Sequence, residues 1–212
     1  MRSLLLSLVL LSLLLLAAGA GEVPLRPVAR PAPPPPMAWD HVPGAQAWTR
    51  AAMAALRAHG APLVAMVPRD IGAWCPAYPG ADPVTRRAFW VGLLSALAEH
   101  ESTWRPGAVG GGGRRHGLLQ ILPATARGYG CRARSGAALR DGPANLSCAL
   151  RIMAVTVPRD GVIAEGGRGV AADWGPMLSR AKRARMAAYT RQQDYCQPRG
   201  SLRPKARPVS VN

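Results

Sequence analysis

The stretch Leu94-Ser95-Ala96-Leu97-Ala98-Glu99-His100-Glu101-Ser102-Thr103-Trp104-Arg105-Pro106 decides how this chain is read. Upstream of it, Asp82 followed by Pro83 marks a helix start, because an aspartate can accept from the first free N–H groups and proline is tolerated at the first helical position. A helix is therefore predicted from Pro83 to about Ser102. Each helical residue advances about 100°, so with Leu94 as zero Trp90 falls at about −40°, Leu97 at about −60°, Ala98 at about +40° and Glu101 at about −20°. Glu101 thus sits in the middle of an apolar stripe. Glu99 lies about 160° away from it, toward solvent.

A carboxylate on an apolar stripe is costly unless it is neutral or paired. At a helix C-terminus it also meets the negative end of the dipole, which raises its pKa further. A glutamate held protonated near neutral pH is what a general acid requires. Periodicity alone leaves a second reading open, an ion pair with Arg105 four residues on.

After Pro106 the chain continues Gly107-Ala108-Val109, Gly110 to Gly113, Arg114-Arg115-His116, then Gly117-Leu118-Leu119-Gln120-Ile121-Leu122-Pro123-Ala124-Thr125-Ala126. In order, spacing and residue type, Leu94 to Ala126 resembles the lytic transglycosylase SLT family of lysozyme-like, peptidoglycan-cleaving enzymes. That family's pattern runs Glu-Ser, an aromatic, Pro, Ala-Val, a glycine-containing loop, Gly-Leu-x-Gln and a Pro-Ala-Thr-Ala helix start. Asn145-Leu146 is similar to the family's next Asn-Ile/Leu helix. Several linked motifs carry the resemblance, which no single one would.

The resemblance implies that Glu101 is the single catalytic acid/base, that Ser102 lies near the muramic sugar, and that Leu119 and Gln120 belong to the sugar-binding turn. Leu119 stands where methionine is common. One departure is clear: an Ala-Tyr-Asn-Ala-Gly segment is usual, and this chain offers Ala171-Ala172-Asp173-Trp174-Gly175-Pro176. Trp174 is read either as a sugar-stacking ring or as core, and Asp173 either as a group orienting Glu101 or a hydroxyl, or as a helix cap. The implied reaction cleaves the MurNAc-β-1,4-GlcNAc bond with substrate assistance and leaves 1,6-anhydroMurNAc ends. Ordinary glycosidases use two carboxyl groups, and Asp141 and Asp160 both sit in turn signals and read as structural.

The remaining sequence gives the address and boundaries. Arg2, the apolar run Leu4 to Leu16 and the small residues Ala18-Gly19-Ala20 make residues 1–20 an expected cleaved signal peptide, and hence a periplasmic protein with no stable membrane span after cleavage. Residues 21–43 contain eight prolines and are expected to form an extended Pro-rich linker. A mainly α, lysozyme-like domain is expected over 44–197, followed by a basic disordered tail at 198–212.

Within the domain, Trp48 to Leu56, Pro123 to about Gly128, Leu146 to Val157 (closed by Pro158) and Leu178 to Gln193 read as helices. Val64 to Val67 and Val162-Ile163 hint at extended pieces. Gly110 to Gly113 lacks the ending of a phosphate-binding loop and is expected to be a mobile rim of the cleft. His100 points about 100° away from Glu101 and reads as a surface histidine.

Four cysteines in an exported chain imply two disulfides. Of three possible connectivities, Cys131–Cys148 closes a loop between helices and Cys75–Cys196 ties the domain's ends. Clustered metal-ligand spacing is absent, and no metal or organic cofactor is expected.

The chain has 212 residues, 49% of them hydrophobic, and a formal net charge of +16, carried by 25 Arg and 2 Lys against 11 acids. Global disorder and a multi-span membrane protein are excluded. The charge favours anionic partners. With the export signal and paired cysteines, the expected partner is peptidoglycan glycan strands rather than nucleic acid, with an envelope-spanning assembly as a second candidate. Two other readings remain: a goose-lysozyme-like muramidase that hydrolyses the same bond, and a catalytically weak peptidoglycan-binding scaffold of an envelope machine.

Overall fold

A computed structural model describes residues 34–198. The expected signal segment, the first part of the linker and the basic tail beyond residue 198 lie outside the described residues.

The described residues build a mainly helical domain: α1 (Ala45–Arg57), α2 (Ala61–Ala65), α3 (Pro83–Ser102), a hairpin of β1 (Val109–Gly110) and β2 (Arg115–His116), α4 (Pro123–Gly128), α5 (Gly142–Asp160) and α6 (Arg180–Gln192). Short 3-10 turns supply many of the connections. The helix α3 starts where the Asp-Pro pair requires, with Asp82 Oδ1 accepting from Val84 N at 2.8 Å and Thr85 N at 3.0 Å. Every residue from Ala88 to Ala98 is buried. The helix is therefore enclosed on all sides rather than along one stripe, as expected when α1, α2 and α6 all pack against it. Glu101 follows this enclosed stretch, on the last turn.

The second structural axis is α5, which packs against α1 and α2. Its start is capped by Asp141, whose Oδ1 accepts from Ala144 N at 2.8 Å. Leu146, Ala149, Leu150, Ile152, Met153 and Val157 enter the core. Pro158 does not close this helix. It removes one donor from the last turn, and the helix runs on to Asp160 before Gly161 turns left-handed at φ 70°.

Two further expectations are corrected. Val64 belongs to α2, and Ile163 lies in a turn held by Asp70, which accepts from Ile163 N and Ala164 N at 2.7 and 2.8 Å. The linker does not extend to residue 43. Met37 and Trp39 are buried, Trp39 Nε1 donates to Thr49 Oγ1 at 2.9 Å, and Ala38 N donates to Ser95 Oγ at 3.1 Å. Apolar side chains among the prolines provide enough area to dock residues 37–43 on α1 and α3.

Both disulfides pair as expected, Cys75 with Cys196 and Cys131 with Cys148. The first joins the segment between α2 and α3 to the 3-10 turn that follows α6. The second joins the segment after α4 to α5. Among the described residues no helix is long and apolar enough to cross a membrane.

Candidate active site

The chain leaves α3 abruptly. Thr103 and Trp104 both take left-handed conformations, φ 51° and 55°, which cost about 1–3 kcal/mol each for non-glycine residues and persist only where the surroundings impose them. Here the N–H of Thr103 donates to Glu99 O, and the indole Nε1 of Trp104 folds back to donate to Ser95 O at 2.8 Å. Arg105 Nε donates to Ser102 O at 3.1 Å rather than pairing with Glu101. Glu99 faces outward, 3.8 Å from Arg185. The half-buried His100 sits on that α6 side beside Arg185 and Tyr189, and burial lowers its pKa.

The wall opposite is the hairpin and the turn that follows it. Val109 pairs with His116 and Gly110 with Arg115. The connecting Gly111, Gly112 and Gly113 all have positive φ, so the stretch expected as a mobile loop is a hairpin turn. Gly117 must be glycine: its φ is 81°, and a Cβ there would collide with Leu139 O and the Asn145 carboxamide.

Gln120 is left-handed at φ 48°, and its Nε2 donates to Ala108 O at 3.2 Å and Gly117 O at 2.9 Å. The side chain thus clips the turn to the start of the hairpin. Asn145 is fully buried and fully used. Its Oδ1 accepts from Leu119 N at 2.9 Å, and its Nδ2 donates to His116 O at 3.0 Å and Leu139 O at 2.8 Å.

Between these walls lies an open cleft lined by Glu101, Arg115, Gln120, Ile121, Leu122, Thr125, Ile152, Asp173, Trp174 and Gly175. Burial pushes the Glu101 carboxyl up to about 7, against the opposing fields of Arg115 and Lys182. Asp173 is also raised, first by partial desolvation at the cleft, with Arg159 opposing and Asp160 reinforcing the shift.

Four of the expected site residues, Glu101, Gln120, Asp173 and Trp174, therefore come together in one cleft. Ser102 and Leu119 do not line it. Ser102 is buried with its hydroxyl donating to Ala98 O at 3.2 Å. Leu119 is fully buried and serves the turn through its backbone. Trp174 is a core residue whose Nε1 donates to Leu119 O at 2.9 Å, so its ring is packed rather than presented for stacking. Sequence reasoning missed Arg115, Thr125 and Ile152. Thr125 lies inside the recognised Pro-Ala-Thr-Ala motif, whereas only the hairpin fold aims Arg115 at the cleft.

An enclosed helix delivering one desolvated carboxyl to a cleft, faced by a small hairpin and a clipped turn, defines a lysozyme-like helical domain. Residues 83–159, from the first residue of α3 almost to the end of α5, match the model of the transglycosylase SLT domain. Over that stretch the chain carries a transglycosylase SLT domain. Among solved structures it is similar to wild-type DslA, with a TM-score of 0.70, and to two DslA variants each carrying a glutamate-to-glutamine change, at 0.71. In all three the identity is 26%, over 78% of this chain and 100% of the other. No curated protein sequence matches the chain.

Proposed function

We propose that this protein is an exported, periplasmic lytic transglycosylase that cleaves the MurNAc-β-1,4-GlcNAc bond of glycan strands and leaves 1,6-anhydroMurNAc ends. The observation that carries the reading is the Glu101 carboxyl, half-buried in the cleft and with its pKa pushed up to about 7. Near neutral pH such a group is present in both forms, as an acid that must later act as a base requires.

In the proposed sequence, protonated Glu101 donates to the departing O4 of N-acetylglucosamine as the C1–O4 bond breaks. The acetamido oxygen of N-acetylmuramic acid bonds to C1 from the opposite face. The 6-hydroxyl then displaces that oxygen, forming the C1–O6 bond, and its proton passes to the Glu101 carboxylate. Glu101 is thereby returned to its starting state, and the scheme uses no cofactor. Positioned proton transfer of this kind contributes typically about 10²–10⁴-fold. The clipped turn at Gln120 fixes the wall against which the sugars bind.

Asp173, in the same cleft, favours one second reading. A second carboxylate could activate water, and the product would then be a hydrolysed reducing end, as in the muramidases. The test is digestion of purified sacculi by the wild type and by Glu101→Gln. Release of soluble muropeptides by the wild type and loss of that release in the variant is the expected result. Undiminished release by the variant would remove Glu101 from the reaction.

A further inference from the structure

Arg115 is the cation of the cleft, and its setting differs from that of many other arginines of the domain. Arg86, Arg105 and Arg134 spend their guanidinium groups on backbone carbonyls. Arg159 and Arg185 face carboxylates. Among the described residues neither a carboxylate nor a carbonyl holds the Arg115 guanidinium, and the side chain is exposed at the cleft. Its stem is nonetheless placed: it lies over Gly111, where a Cβ would approach Arg115 Cγ and Cδ to 3.3 Å. The hairpin thus presents an unpaired, planar, five-donor cation beside Glu101. That is the geometry suited to bidentate capture of a carboxylate.

We propose that Arg115 binds a carboxylate carried on the lactyl side chain of the muramic sugar at the cleavage position. That group is either the free lactyl acid of a peptide-free strand or a carboxylate of an attached stem peptide. This inference rests on the glycan-strand reading of the cleft. The charged groups facing Glu101 agree with it. Arg115 from β2 and Lys182 from α6 both favour the ionised form of Glu101 and so oppose its service as an acid. A carboxylate seated on Arg115 cancels much of that opposition, so binding of the anionic substrate and retention of the proton on Glu101 reinforce each other. Asp173 in the same cleft repels an anion and leaves the Arg115 side as the favoured one.

The experiment measures binding of soluble glycan strands to the non-cleaving Glu101→Gln protein, with and without Arg115→Gln or Arg115→Lys. Three probes are used: peptide-free strands with free lactyl acids, the same strands with those acids converted to neutral amides, and strands bearing stem peptides. The expected result is that Arg115→Gln weakens binding of at least one anionic probe about tenfold and of the neutral probe less than about twofold. Arg115→Lys should fall between, and the loss should shrink at high salt. Which anionic probe responds identifies the source of the carboxylate. Equal binding of every probe by all three proteins, or equal weakening of the neutral probe, overturns the role of Arg115 while leaving the glycan-strand reading intact. Failure of every probe to bind overturns both.

Discussion

The indole Nε1 of Trp174 donates to the carbonyl oxygen of Leu119 at 2.9 Å, tying the segment after α5 to the turn that carries Gln120. Both groups are buried, and the N–H of the same Leu119 is held by Asn145. The turn therefore owes its shape to two side chains distant in sequence. Trp174→Phe keeps much of the packing but leaves a buried carbonyl unpaired, which costs about 1–3 kcal/mol. Expected are a lower Tm and a lower kcat/KM. Activity and Tm equal to wild type would mean the bond is dispensable.

Asn145→Ala should be more damaging than Trp174→Phe, because it orphans Leu119 N and Leu139 O together and leaves His116 O with only its bond from Ile121 N. Gly117→Ala acts on the same place through a clash and a strained φ of 81°. Denaturant midpoints for the three variants should rank Trp174→Phe as the mildest.

Glu101 should couple activity and stability to pH. Its unfolded carboxyl titrates at about 4.5, and its folded one is pushed up to about 7 by burial. Between those values the native state binds more protons than the unfolded state. The stability attached to this group is present in full below about 4.5, declines as pH rises, and is gone above about 7. Glu101→Gln removes the charge, so it should gain on the wild type by ~1–2 kcal/mol between acidic and mildly alkaline pH, a figure discounted for the group's partial exposure. Wild-type cleavage should decline over the alkaline limb. Parallel Tm curves for the two proteins across that range would refute the shift.

The disulfides should differ in weight. Cys75–Cys196 closes 121 residues and Cys131–Cys148 closes 17. On loop-closure entropy the longer bridge contributes about 4–5 kcal/mol and the shorter about 3. Replacing each pair by alanine and comparing denaturant midpoints checks the order.

Trp39 tests the revised boundary. It is fully buried between α1 and its own turn, with an edge-on contact to Trp48 at 5.8 Å. Trp39→Ala should cost about 3–5 kcal/mol, whereas a residue in a true linker would cost nothing measurable.

Local signals carried much of this fold. Asp82-Pro83 located α3, Pro123 located α4, and the cysteine count set two bridges, their observed pairing being the preferred one of three possible connectivities. Position on the helix singled out Glu101, although the helix proved enclosed all round. The failures have one physical source. A two-residue strand has no periodicity to detect, and the use made of Trp174, Asn145, Trp39 or Arg115 depends on groups far along the chain. Trp174 is packed because Leu119 O lies within reach of its Nε1 (2.9 Å), and no pattern around residue 174 encodes that neighbour.

The most direct measurement is the mass of the soluble products when sacculi are digested in ¹⁸O-labelled water. If the 6-hydroxyl attacks, the muramic ends are expected as 1,6-anhydro sugars, lighter by one water than reducing ends and free of label. Reducing ends that carry ¹⁸O would mean that water is the nucleophile, and would contradict the substrate-assisted, single-acid account built on Glu101.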